Sequence, residues 1–223
     1  MEEQFDTLIT NGHIIDGTGN PYFKADIGIR SGKIICIQRS LNASRAKKVI
    51  DAGEMIVCPG FIDVHTHDDL YVISKPAADE KILQGITTVV TGNCGFSPAP
   101  LLKDAQETLQ SYSGILGGAE ILHKFHNSVT FKDYQEIVKE GSPGINVASL
   151  VGNISIRISA MGHDMREPTE TELEMMRKLV SEAMADGAIG LSSGLIYAPG
   201  SYAQTDELIE LCKVVKQYDG IYT

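Results

Sequence analysis

The sequence predicts an α/β protein with two differently built parts, residues 1–57 and 58–223. In the first part, short apolar runs are separated by glycine turns that leave no room for a helix. In the second, β-branched runs alternate with helical stretches, and parallel strands need such crossovers between them. Pro59-Gly60 punctuates the boundary.

Taken in order, Leu8-Ile9-Thr10 and His13-Ile14-Ile15 flank Asn11-Gly12, a two-residue hairpin signal. Ile27-Gly28-Ile29 and Ile34-Ile35-Cys36-Ile37 flank a second turn at Ser31-Gly32-Lys33, and the run Val49–Val57 is broken by Asp51-Ala52-Gly53. The expectation is a small antiparallel β unit. Beyond Gly60, Phe61–Val64 reads as a strand, Pro76 as the start of a helix through residue 84, and Ile86–Thr91 as a β-branched strand. Residues 101–140 read as helical, with Phe131, Tyr134, Ile137 and Val138 at helical spacing, and Ile145–Val151 as a strand.

The clearest helix follows. Thr169 and Glu172 form a capping box, Leu173, Met176, Leu179, Val180 and Ala183 keep one face apolar, and Gly187 ends it. Ala188–Leu191 is a strand, Leu208, Leu211, Val214 and Val215 mark a helix, and Gly220–Thr223 begins another strand. That makes about five parallel strands. A closed barrel needs eight and ~250 residues, so the chain is expected to form an open sheet or the front part of something longer.

Composition narrows the function. With 19 Lys+Arg against 29 Asp+Glu, the formal net charge is −10, which disfavours nucleic acid as a partner. No apolar run approaches the ~18 residues of a membrane span. The start, Met1-Glu2-Glu3-Gln4, lacks the basic and apolar stretches of a secretion signal, so a cytoplasmic location is expected. The four cysteines are irregularly spaced, and Cys36, Cys58 and Cys212 are expected to be core residues. No G-x-G-x-x-G, P-loop or G-x-S-x-G motif occurs.

The sharpest chemical feature is Asp63-Val64-His65-Thr66-His67-Asp68-Asp69, at the C-terminal end of the first parallel strand. Strand side chains alternate, so His65 and His67 face one way, their Cα atoms ~6.5 Å apart, and two imidazoles can converge on a metal ion. Asp68 and Asp69 are expected to accept hydrogen bonds behind them. Cys94, in Thr91-Gly92-Asn93-Cys94-Gly95 at the next strand end, reads alone as a buried structural thiol; beside His65 and His67 it reads as a third ligand. The loop Ser192–Gly200 is equally compatible with a structural turn and with a polar substrate surface. His123 and His126 read as solvent-exposed.

The chain resembles the amidohydrolase superfamily and, within it, the D-aminoacylase (N-acyl-D-amino-acid deacylase) family. Pro59-Gly60-Phe61-Ile62-Asp63-Val64-His65-Thr66-His67 carries the broad resemblance; Gly92-Asn93-Cys94-Gly95 and Gly194-Leu195-Ile196-Tyr197-Ala198-Pro199-Gly200 carry the narrower one. The resemblance implies the front half of a metal-dependent (β/α)8 TIM barrel, about five strands over residues 58–223, with residues 1–57 supplying part of a small β-sandwich. It implies Zn2+ held through Cys94, with His65 and His67 contributing to an adjacent metal site. Ser192, Ser193 and Tyr197, on the loop after the fourth parallel strand, are the candidates for substrate contacts. The resemblance further implies two more His ligands and an Asp base that these 223 residues do not contain. Asn153 departs from the family, which often carries His there.

The activity so implied is zinc-dependent hydrolysis of the amide bond of N-acyl-D-amino acids, small-molecule substrates, to a carboxylate and a free D-amino acid. The alternatives are a cyclic-amide hydrolase of the dihydroorotase or hydantoinase kind and a non-catalytic, truncated remnant of the fold. Cyclic-amide hydrolases usually carry a carboxylated Lys after the fourth parallel strand, where this chain has Leu191-Ser192-Ser193-Gly194.

Overall fold

The computed structural model describes residues 4–223 as a mixed α/β structure in two compact units that divide between Gly60 and Phe61. In the first unit, β1 (Phe5–Ile14) runs straight past Asn11-Gly12. It pairs antiparallel with β2 (Phe23–Arg30) on both sides of that dipeptide, Ile9 opposite Ile27 and Gly12 opposite Ala25. Three steps along β1 therefore match two along β2, a one-residue bulge with Asn11 at φ 61°. The expected hairpin is thus a bulge: the positive φ is there, but the chain continues because β2 offers partners beyond it.

The second turn is a true hairpin. Ser31 (φ 51°) and Gly32 (φ 71°) link β2 to β3 (Lys33–Gln38), the pair of positive φ angles that two-residue hairpins favour. After a one-turn 3-10 helix at Ala43–Arg45, β4 (Ala46–Asp51) and β5 (Ile56–Val57) both pair parallel with β1. The sheet is mixed rather than antiparallel. Its core gathers Ile14, Ala25 and Ile27 against Ile9, Ile29 and Val57. Cys58 is exposed and Cys36 half-buried, so Cys58 is no core residue.

The second unit begins with β6 (Phe61–Asp63), followed by the single-turn helices α1 (Tyr71–Ser74) and α2 (Asp79–Ile82) and by β7 (Ile86–Thr91). Pro76 sits between the two helices rather than starting one, and its carbonyl accepts from the Gly144 amide at 2.7 Å. Next come α3 (Ala105–Leu116), a 3-10 stretch at Ala119–Lys124, α4 (Phe131–Gly141), β8 (Asn146–Ser149) and β9 (Val151–Gly152). The remainder is α5 (Asn153–Met161), α6 (Glu170–Ala185), β10 (Gly190–Ser192), α7 (Thr205–Lys216) and β11 (Ile221–Tyr222).

All neighbouring strands here pair parallel, in the orders β6-β7-β8 and β9-β10-β11. The two halves meet where β8 passes into β9: the Leu150 amide bonds Thr91 O and the Ile189 amide bonds Ser149 O, each at 3.0 Å. The run expected as one strand over 145–151 is thus two short pieces that change partners. All C-terminal strand ends point one way, the end at which such sheets build sites.

The helices justify themselves locally. The Thr169 hydroxyl accepts from the Glu172 amide while Glu172 reaches back to the Thr169 amide, closing the expected capping box of α6. Met176, Leu179, Val180, Ala183 and Met184 are buried, and each larger one contributes about 1.5–3 kcal/mol by leaving water. Thr130 and Asp133 cap α4 in the same way.

Candidate metal centre

Four strand ends build the site. β6 delivers His65 and His67, β7 delivers Cys94, and β10 and β9 supply the wall behind the cysteine. Cys94 lies in a turn of positive φ angles: Gly92 at 76°, Cys94 itself at 54° and Gly95 at 78°. The turn is packed backbone to backbone. A Cβ on Gly92 would come within 2.1 Å of Leu150 O, and one on Gly194 within 2.0 Å of Cys94 O. Glycine at those two positions is therefore what lets the cysteine loop seat against neighbouring strand ends.

Polar side chains fix the same turn. Asp69, fully buried, accepts from the Gly92 amide at 2.7 Å. Burial pushes its carboxyl up to about 8, against the opposing pull of that amide. Ser192, also fully buried, accepts from the Gly95 amide at 3.0 Å and donates to Gly92 O. Asn93 Nδ2 donates to Val90 O at 2.8 Å and more weakly to Thr66 O at 3.4 Å.

Three donors converge as a result. His65 Nε2 lies 3.2 Å from Cys94 Sγ, and one ligand atom from each of His65, His67 and Cys94 lies within 4.8 Å of the others. A tetrahedral ion with bonds of ~2.0–2.3 Å to nitrogen and sulfur separates its donors by roughly 3.5 Å, so the His65–Cys94 spacing suits one. His67 Nδ1 is buried and has no hydrogen-bond partner among the described residues. Burial, then the neighbouring His65, hold the His67 imidazole below its ordinary pKa range, in the neutral form that a metal requires. Two imidazole nitrogens and a cysteine sulfur make a donor set that fits a divalent ion of intermediate softness.

Other residues land elsewhere than the sequence expectation. Asp68 pairs with Lys81 at 2.7 Å and Asp69 with the Gly92 amide, so these carboxylates brace neighbouring backbone and charge rather than the imidazoles. The Ser192 hydroxyl faces the cysteine turn and not the open side. Ser193 Oγ is 2.7 Å from Tyr222 Oη. Tyr197 is 42% exposed, with its ring 5.1 Å from that of Phe96. His123 and His126 are exposed, and neither joins the cluster.

Asn153, the first residue of α5, is fully buried and donates to Glu207 Oε1 at 3.0 Å; Glu207 also receives Arg157. Sequence reasoning missed this trio and the helix that carries two of its members.

The amidohydrolase family profile matches residues 48–220, and the profile of the urease alpha-subunit N-terminal domain matches residues 1–61. The chain belongs to the amidohydrolase family. This amidohydrolase chain is 39% identical to the D-aminoacylase of Alcaligenes xylosoxydans xylosoxydans over 99% of its own length and 44% of that protein's. It is 40% identical to an N-acyl-D-glutamate deacylase of Bordetella bronchiseptica solved with zinc and a phosphonate inhibitor that mimics the tetrahedral intermediate. That match has a TM-score of 0.84, covering 99% of this chain and 44% of that one. A D-aminoacylase solved for its binuclear metal centre is 38% identical at TM-score 0.84, with 98% and 44% covered. The chain thus spans under half the length of each of these three relatives.

Proposed function

We propose that these residues serve the zinc-dependent hydrolysis of the amide bond of N-acyl-D-amino acids to a carboxylate and a free D-amino acid. The observation that carries this reading is the convergence of His65, His67 and Cys94, with a buried His67 nitrogen left without a partner. It is supported by relatives at about 40% identity that are D-aminoacylases and deacylases of N-acyl-D-amino acids. His65, His67 and Cys94 would hold the ion, which when bound supplies Lewis acidity toward an amide carbonyl.

The chain's own residues divide the remaining work. Asp69 and Ser192 hold the turn that presents the thiol, Ser192 thereby reaching substrate only through Cys94. Ser193 and Tyr197, on the loop that follows β10, are the residues for contact with the acyl-amino acid. In this reading the parallel strands are a portion of a (β/α)8 barrel, residues 1–57 a portion of a β-sandwich, and the protein cytoplasmic. No described helix is long and apolar enough to cross a membrane. A cyclic-amide hydrolase is the weaker reading, because Leu191–Gly194 offers no lysine to bridge two metals.

The test is to measure zinc content by equilibrium dialysis for the chain and its Cys94→Ala variant, and to assay the zinc-loaded full-length protein. Its substrates would be N-acyl-D-amino acids, their L-enantiomers and a cyclic amide. Zinc bound by the parent and lost in the variant, with turnover confined to the D-series, is expected. Equal zinc content in both, or turnover of the ring amide alone, would overturn the reading.

A further inference from the structure

Lys81 contributes no donor to the cluster, yet its ammonium is where both flanks of the histidine segment meet. Nζ lies 2.7 Å from Asp68 Oδ2, 3.0 Å from Asp63 Oδ2 and 3.4 Å from Thr66 Oγ1. Asp63 lies two residues before His65, Asp68 immediately follows His67, and Thr66 stands between the two histidines. Asp63 also accepts from the His65 amide at 3.4 Å. The three charged side chains are 17–27% exposed. An ordinary surface ion pair contributes little because water screens it. Here one mostly buried cation is shared by two carboxylates, and its removal would leave two like charges close together in a poorly solvated place.

Carboxylates are also metal ligands. Asp68 is bonded in sequence to His67, so a carboxylate freed from Lys81 would be a competing oxygen donor beside a nitrogen and sulfur set. We propose that Lys81 is a positioning residue for the metal centre: by pinning Asp63 and Asp68 it presets His65 and His67 and keeps both carboxylates out of the donor set. The inference rests on the reading that His65, His67 and Cys94 hold a divalent ion. Lys81 touches none of the reacting atoms and acts through the segment it clamps.

The experiment is a Co2+ titration of the chain and of its Lys81→Met, Lys81→Arg and Cys94→Ala variants. The readouts are the thiolate-to-Co2+ charge-transfer band and the visible d–d bands, with apo thermal stability measured alongside. The parent should show both bands and Cys94→Ala should lose the first. Lys81→Met should bind Co2+ about 10–100-fold more weakly, the range seen when partners behind metal ligands are removed. Its d–d bands should weaken as oxygen donors enter, and Lys81→Arg should recover most of the affinity. If Lys81→Met does not fold, the Asp63→Asn/Asp68→Asn double variant strips the same clamp and should show the same loss of affinity.

Parent-like affinity and spectrum in Lys81→Met would overturn the inference while leaving the site reading intact. So would a loss no larger than the fall in apo stability accounts for. Absence of a thiolate band from the parent would overturn the site reading and the inference with it.

Discussion

Ser192 Oγ accepts the Gly95 amide at 3.0 Å, a bond between residues 97 positions apart that ties the end of β10 to the turn holding Cys94. The same hydroxyl donates to Gly92 O, so one side chain grips the turn on both sides of the thiol. Replacing Ser192 by Ala leaves a buried N–H and a buried C=O short of partners, at a cost of about 1–3 kcal/mol. For a chain of this size that is a fall of very roughly 3–10 °C in Tm. Ser193→Ala, which removes a half-exposed contact to Tyr222, should stay within about 0.5 kcal/mol of the parent. Thermal denaturation of both variants checks the contrast, and equal Tm values would refute the brace.

Much of this was legible along the chain, and the pattern of what was not has a physical cause. Ile86–Thr91 is β-branched and is a strand; Thr169 and Glu172 spell a capping box and form one; His65 and His67 sit two apart after a strand and share a face. Each of those signals is local. Asn11-Gly12 is also local, but a positive φ suits a bulge as well as a hairpin, and only the pairing with β2 decides between them. The helix α5 hid because Ile154-Ser155-Ile156-Arg157-Ile158 alternates like a strand. It is buried all round, so no helical stripe of polarity survives to mark it. The Ser192 and Asp69 braces could not be read at all, since each joins segments that only the folded sheet brings together.

The buried trio on α5 and α7 should be costly to break. Arg157 is fully buried, bonded to Glu207 and to Arg166 O at 2.5 Å, and Asn153 completes the carboxylate's partners. Glu207→Ala strands a buried guanidinium and should destabilise by about 3–5 kcal/mol. An Arg157→Met/Glu207→Leu double variant removes both charges and should recover most of that loss. Urea denaturation of the single and double variants supplies the comparison; a double variant as unstable as the single one would contradict a charge-pairing account.

The bulge at Asn11 makes a backbone prediction. Asn tolerates the left-handed region better than β-branched residues do, and at φ 61° its backbone N–H donates to Asp26 Oδ1 at 2.8 Å. Asn11→Gly should change stability by only a few tenths of a kcal/mol, because gained backbone ease offsets the lost contact of its side chain to Asp51. Asn11→Val should cost about 1–2 kcal/mol. If valine were tolerated as well as glycine, the strand would have to slip its register, which amide exchange across β1 and β2 would reveal.

Acid stability should depend on Glu172. Its bonds to Arg166 and to the Thr169 amide hold the carboxyl at about 2 in the folded chain, against an ordinary value of 4.5. A carboxylate whose pKa is depressed by folding contributes stability that is whole above the unfolded value and is lost as pH falls through the folded one. Glu172→Gln should therefore lower Tm at pH 7, where the parent keeps the charged cap. The gap should close as pH falls from 4.5 toward 2, where the parent carboxyl also becomes neutral. Thr169→Ala removes the other half of the capping box at a cost of about 1 kcal/mol. Its hydroxyl does not titrate, so some of its deficit should persist at low pH. Tm profiles of the three proteins from pH 2 to 7 separate the two behaviours. A Glu172→Gln deficit that stayed constant across that window would mean the side chain acts through packing rather than charge.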